Sequence, residues 1–86
     1  MREYNYLPLS VIAGYEPDMR RLGVSEVARS PKGFLVAYKK AGGNPNNLSE
    51  YWRIKRHGFI RRHLVQYRNN PTKRRLLALR AWAYLP

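Results

Sequence analysis

The sequence predicts an all-α fold, a small single-domain bundle of three to five helices that ends in a helical hairpin or a helix-turn-helix. Two observations predict it. Proline or serine starts and glycine or asparagine stops recur along the chain, with apolar residues at helical spacing between them. No stretch alternates apolar and polar residues as a half-buried strand would. Residues 1–86 read as one helical domain. Residues 1–27 form an N-terminal arm with short helices, and 28–86 form a helical core with a basic C-terminal half.

Residues 1–14 read as an apolar arm or short helix ending near Gly14. Glu16 to Gly23 reads as a short helix with a proline start and a glycine stop. Ser25 caps another turn through Arg29. In Ser30-Pro31-Lys32-Gly33, the serine suits an N-cap and the proline the first helical position. Phe34, Leu35 and Tyr38 then share a face, and Gly42 and Gly43 stop that helix. Asn44 to Asn47 is a turn-rich connection.

The longest helix is expected from Asn47 or Ser49, over about residues 50–68. Placed 100° apart, Trp52, Phe59, Ile60, His63, Leu64 and Tyr67 fall in one arc. Lys55, Arg61, Arg62 and Arg68 fall opposite, with Arg53 and Arg56 nearer the apolar edge. Gly58 weakens this helix by about 1 kcal/mol relative to alanine, and a close helix crossing is one reason for a glycine there. Asn70 is expected to cap a last helix from Pro71 to Tyr84. Its inner face is Leu76, Leu79 and Ala83, with Leu77, Trp82 and Tyr84 off that face. Such a helix either sits centrally or meets a partner. The short connection makes the last two helices neighbours.

A chain of 86 residues buries roughly 60–65% of its surface, so its core needs large side chains. Two Trp, seven Tyr and two Phe supply them. The absence of cysteine excludes disulfides and cysteine–zinc sites. No apolar run approaches the ~18 residues of a membrane span. The first residues lack the apolar stretch of a signal peptide, so a soluble protein of the cytoplasm is expected.

Charge is the strongest signal. There are 17 Lys+Arg against 5 Asp+Glu, a formal +12. Residues 1–50 hold seven basic and five acidic residues, whereas 51–86 hold ten basic and none acidic. A single-sign half repels itself unless a partner neutralises it. Arginine outnumbers lysine 12 to 5, which favours bidentate contacts to phosphate or carboxylate.

Two candidate sites follow. One is the basic ridge Lys55, Arg61, Arg62 and Arg68. The other is the restart at Thr72, Lys73, Arg74 and Arg75, where three cations in a first turn oppose the helix dipole and an anion would relieve the conflict. The aromatic residues Trp52, Phe59 and Trp82 are assigned to the core, and Tyr51 and Tyr84 are less constrained. His57 and His63, six residues apart, do not share a helix face, and no third ligand accompanies them, so no metal is assigned. Among the acidic residues only Glu16 and Asp18 are close in sequence. With no Gly-rich phosphate loop and no nucleophile–base set, a non-enzymatic role without a cofactor or small-molecule substrate is expected.

Ala28-Arg29-Ser30-Pro31-Lys32-Gly33-Phe34, Ala37-Tyr38, Ala41-Gly42-Gly43, Pro71 to Arg75, Leu77-Ala78-Leu79 and Ala81 to Tyr84 resemble small, basic, uncharacterised proteins of tailed bacteriophages. The resemblance covers about residues 28–84. It implies a phage or prophage origin, in host cytoplasm or virion, and carries no activity or site. The expected role is nucleic-acid binding (DNA or RNA) through phosphate contacts with little sequence specificity. The alternative is a protein-interaction module, such as a minor virion component or an inhibitor of a host enzyme, docking an acidic surface or burying the outer face of the last helix. A membrane-surface role is a weaker third.

Overall fold

The computed structural model describes residues 3–85, in which no strand forms. Six α-helices follow in order: α1 Leu9–Ala13, α2 Glu16–Leu22, α3 Glu26–Arg29, α4 Phe34–Lys40, α5 Glu50–Asn69 and α6 Lys73–Ala81. The four-residue α3 is a single turn, so five helices exceed one turn. A 3-10 turn, Pro45–Asn47, joins α4 to α5. The fold is a small all-α bundle, as expected.

The helix stops share one device. Gly23 and Gly42 take φ of 65° and 69°. The following N–H of Val24 donates to Met19 O, and that of Gly43 to Tyr38 O. Both are Schellman closures, in which a left-handed residue turns the chain back onto the last carbonyls. α6 ends in the same way but with Ala83 at φ 60°; Tyr84 N–H donates to Leu79 O and Ala83 N–H to Arg80 O. The last helix therefore stops at Ala81, three residues before the expected Tyr84.

Starts were less faithful to the sequence signals. α5 is capped as expected, Ser49 Oγ accepting from Trp52 N–H at 3.4 Å. For α6 the cap is Thr72, whose Oγ1 accepts from Arg75 N–H at 3.2 Å, so Asn70 does not cap and Pro71 precedes the helix. α4 begins at Phe34 behind Gly33, and Ser30 instead donates its hydroxyl to Val27 O at 2.7 Å. The reason is close backbone approach. A Cβ on Gly33 would lie 2.1 Å from Val27 O and 2.3 Å from Ala28 O, so α3 and the start of α4 touch through main chain. Ser25, expected to cap α3, takes φ 58° and makes no cap bond.

Aromatic rings form the spine of the core. Tyr38, Phe34, Trp82, Phe59 and His63 stack in series, with centroids 5.8, 4.9, 4.5 and 3.9 Å apart and planes within 18° of each other. Each such pair adds about 0.5–1.5 kcal/mol beyond its area burial. The column ties α4 to α5 through the residue that ends α6. Ile12, Met19, Leu35 and Leu77 are fully or almost fully buried beside it, and Ile60, Leu64 and Leu79 form a second cluster. The short N-terminal helices join the main core, to which α1 and α2 supply Ile12 and Met19. α6 is central, with Leu77, Leu79, Ala81 and Trp82 all buried while Leu76 is only half-buried. Leu79 and Ala83 of the expected inner face are fully buried, but Leu77 and Trp82, expected off it, are buried too, so α6 takes the central of the two expected positions and among the described residues presents no large exposed apolar side chain to a partner.

Arg56 is the residue that sequence reading placed wrongly. It is 1% exposed and lies inside the apolar arc of α5. Its Nε donates to Trp82 O (2.7 Å), Nη1 to Tyr4 O (2.9 Å), and Nη2 to Asn5 O (2.7 Å) and Ala83 O (2.9 Å). The Tyr6 ring covers the guanidinium at 3.6 Å. Burial pushes the Arg56 pKa below its usual value, yet its bonds run to carbonyls rather than to a carboxylate. The N-terminal segment and the end of α6 are thereby clasped onto α5. Leu7 N–H to Ala83 O (2.8 Å) and Tyr38 hydroxyl to Leu7 O (2.8 Å) complete the clasp.

Candidate polyanion interface

The interface is built on α5, a 20-residue helix about 30 Å long. Ile60, Leu64 and Arg56 occupy its buried side, so residues half a turn away must face solvent. Lys55, Arg61, Arg62 and Arg68 are all exposed. Among the described residues none of the four makes a hydrogen bond or ion pair; Lys55 rests its ammonium 5.4 Å from the Tyr51 ring centroid.

The ridge resolves into two rows. Arg61 and Arg68 are seven residues apart, as are Lys55 and Arg62, so each pair lies two turns, about 10.5 Å, along the helix. Between the rows runs a stripe of Tyr51, Ile54, Gly58 and Val65, with Tyr51, Ile54 and Val65 more than half exposed. Gly58 sits at no helix crossing, contrary to expectation. A Cβ there would meet only Arg62 Nη1, at 3.3 Å.

The second expected site is largely satisfied from within. Lys73 pairs with Asp18 at 3.2 Å. Arg74 donates to Leu22 O, and Arg75 to Asn70 O at 3.3 Å. Thr72 is engaged as the cap. The conflict between three cations and the helix dipole is eased by a carboxylate and carbonyls of the chain itself.

The remaining cations beyond residue 50 are also engaged. Arg53 pairs with Glu3 at 2.6 Å, and the Arg53 guanidinium holds the Glu3 carboxyl below the usual carboxylate range. Arg80 is buried over the Tyr15 ring at 4.2 Å. Glu16 is held by Lys39 at 2.7 Å and Arg20 at 3.2 Å, and Asp18 by Arg21 at 2.9 Å. Glu16 and Asp18 thus pair with cations off α5 and Glu3 pairs with Arg53 on it, which leaves the four ridge cations of α5, with Lys32 and Lys40 around α4, without a carboxylate among the described residues. Only Glu50, at its first turn, adds a negative charge to the helix.

Beside the Lys55–Arg62 row lies a cleft of about 530 Å³ between α3 and α5, lined by Val27, Ala28, Ile54, Gly58, Phe59 and Trp82 with Lys55, Arg62 and Ser25. Sequence reading missed it. Its walls come from elements remote in the chain, and Val27 carries no local sign that it stays exposed. His63, on the apolar arc of α5, is stacked on Phe59. Burial, and then Arg62, lower its pKa. Of the less constrained aromatics, Tyr51 is 58% exposed, whereas Tyr84 is half-buried, edge-on to Tyr4 at 5.2 Å.

No described helix is long and apolar enough to cross a membrane. No protein-family model matches the chain, and no curated protein or solved structure matches it.

Proposed function

We propose that this protein binds nucleic acid through the exposed face of α5, contacting phosphates with Lys55, Arg61, Arg62 and Arg68 and reading little sequence. One observation carries the reading: these four cations lie on one solvent face with no hydrogen bond or ion pair among the described residues, while of the other described cations only Lys32 and Lys40, at the two ends of α4, lack a carboxylate, carbonyl or ring. Their neutralisation by phosphates releases condensed counterions, which supplies most of the affinity of non-specific complexes. Phosphate contacts fix position, and base edges would be needed for specificity. Lys73, Arg74 and Arg75 contribute less, because each must share or leave an internal partner. The likeness of residues 28–84 to small basic phage proteins is consistent with a phage genome or host nucleic acid as target.

Fluorescence anisotropy on a labelled 20-mer, single- and double-stranded, tests this. Four phosphate contacts on duplex DNA give a slope of log K against log salt of about −3.6. Arg61→Glu with Arg62→Glu changes two exposed side chains. The pair should lower affinity by about a hundredfold or more and bring the slope to about −1.8, with an unchanged circular dichroism spectrum. Wild-type affinity in the double variant, or binding indifferent to salt, rules the reading out.

A further inference from the structure

We infer that the cleft between α3 and α5 is a docking groove for an acidic amphipathic helical segment of another protein. Its apolar side chains would enter the cleft, and its carboxylates would pair with Lys55 and Arg62.

Four observations converge on this groove. It has about 530 Å³ of open volume, walled by Val27, Ala28 and Ile54 and floored by Phe59 and Trp82. That is within the size range of sites that bury a ligand's apolar groups. Val27 and Ile54 are 80% and 54% exposed on opposite lips, so apolar surface stands in water where a partner would cover it. Gly58 lines the groove in the interior of α5 although its backbone is ordinary helix and no neighbouring main chain approaches it. A helix interior bears a cost for glycine, and here the missing side chain keeps the groove open. The rim is cationic, with Lys55 and Arg62 two turns apart and no acidic residue in the lining.

Charge complementarity selects the occupant. A second copy of a chain with formal charge +12 would bring like charge to a like-charged rim. A nucleobase would bring donors as well as acceptors, and among the lining side chains Lys55 and Arg62 only donate while Ser25 alone can accept, so base amino and imino groups would lose their water with little to replace it. An amphipathic helix has apolar anchors at i, i+3, i+4 and i+7. Acidic residues seven positions apart on it repeat the spacing of Lys55 and Arg62.

The test uses a synthetic sixteen-residue helical peptide, with leucine and phenylalanine at the anchor positions and glutamate flanking them, and the same peptide with lysine for glutamate. Binding to the full chain is read by anisotropy, beside a labelled oligo-dT and anionic vesicles. The acidic peptide should bind, and the lysine peptide should bind at least about tenfold more weakly. Gly58→Leu fills the groove and displaces only the flexible end of Arg62; Val27→Glu puts a carboxylate on the opposite, exposed lip. Each should weaken the acidic peptide by about tenfold or more. Arg61→Glu with Arg68→Glu, on the far row, should change it by no more than about twofold.

Equal binding of the two peptides overturns the proposal, as does wild-type peptide affinity in both Gly58→Leu and Val27→Glu. Loss of oligo-dT binding on Gly58→Leu would assign the groove to a base, and loss of vesicle binding would assign it to a lipid surface; either overturns it. The peptide measurements stand whether or not oligonucleotides bind, so failure of the nucleic-acid reading is distinguishable.

Discussion

Replacing Arg56 by methionine tests how the fold is held. The side chain keeps most of the buried volume and removes the charge. Four donated hydrogen bonds disappear. Ala83 O keeps Leu7 N–H at 2.8 Å, and Asn5 is exposed, so its carbonyl returns to water. Trp82 O and Tyr4 O lose the partner they have among the described residues, at about 1–3 kcal/mol each. The cation over Tyr6 contributes about 1–2 kcal/mol more when shielded from water. Against this, methionine removes the penalty of a desolvated charge, itself several kcal/mol. We expect a net loss of about 3 kcal/mol. That is a large part of the roughly 4–13 kcal/mol a chain of this length has, and it lowers Tm by about 12–24 °C. Urea titration followed by circular dichroism measures it. Lysine at 56, with no planar fork to span four carbonyls, should cost about 2 kcal/mol. A methionine variant within about 0.5 kcal/mol of the parent would mean that desolvation cancels the bonds and that Arg56 clasps nothing.

Other consequences are equally specific. Thr72→Ala removes the α6 cap and should cost about 1 kcal/mol in urea titration, with oligonucleotide affinity unchanged; a large loss of affinity would return Thr72 to the binding site. Gly33→Ala forces a methyl into the carbonyls of Val27 and Ala28 and should destabilise by about 2–3 kcal/mol, whereas Gly58→Ala should stabilise by about 0.5–1 kcal/mol. Both are read from thermal melts. The Glu3 carboxyl is held low in the folded state, so its pairing with Arg53 stabilises fully above the ordinary carboxylate pKa and is lost as pH falls through the lower folded value. Glu3→Gln should therefore flatten the acid limb of stability against pH. Tyr6, pushed up to about 12 chiefly by burial, works in the opposite direction. Its unfolded phenol ionises near pH 10, so stability should fall as pH rises from there, and Tyr6→Phe should reduce that fall.

How much of this was legible depended on range. Gly23 and Gly42 announced their helix ends because a left-handed residue is a local requirement. Ser49 and the arc of Ile60 and Leu64 fixed α5 almost to the residue. Ser30-Pro31 misled because the start of α4 is set by main chain from α3 touching Gly33, a contact that no window around Ser30 contains. Thr72 and Asn70 are both competent caps, and the sequence offers no local reason for choosing between them. Arg56 did leave a trace. On the helical wheel it falls between Trp52, His63, Tyr67 and Ile60, and a lone cation in the middle of an apolar arc is either an error of phase or a residue with buried acceptors. The acceptors belong to residues 4, 5, 82 and 83, more than 20 positions away in either direction. The exposed ridge, by contrast, followed from helical phase alone.

The same geometry explains how ten cations and no acidic residue beyond Glu50 can coexist in a folded half. The compensation is not local. Glu3 reaches Arg53 and Asp18 reaches Lys73 across fifty or more residues of chain, Arg56 is stabilised by carbonyl dipoles, and Arg80 lies over a ring. After those pairings the exposed cations beyond residue 50 that lack a hydrogen bond or ion pair among the described residues all lie on the outer side of α5. Simple solubility would be served as well by cations spread over the surface with acidic neighbours between them. Here carboxylates are held against other cations, and exposed valine, isoleucine and tyrosine stand between two cationic rows. An apolar stripe flanked by cations gains from an anionic partner that also offers something to cover the stripe. Phosphates alone would neutralise the rows and leave Ile54 and Val65 in water, which is why the groove beside Lys55 and Arg62 calls for an occupant with carboxylates on one face and hydrocarbon on the other.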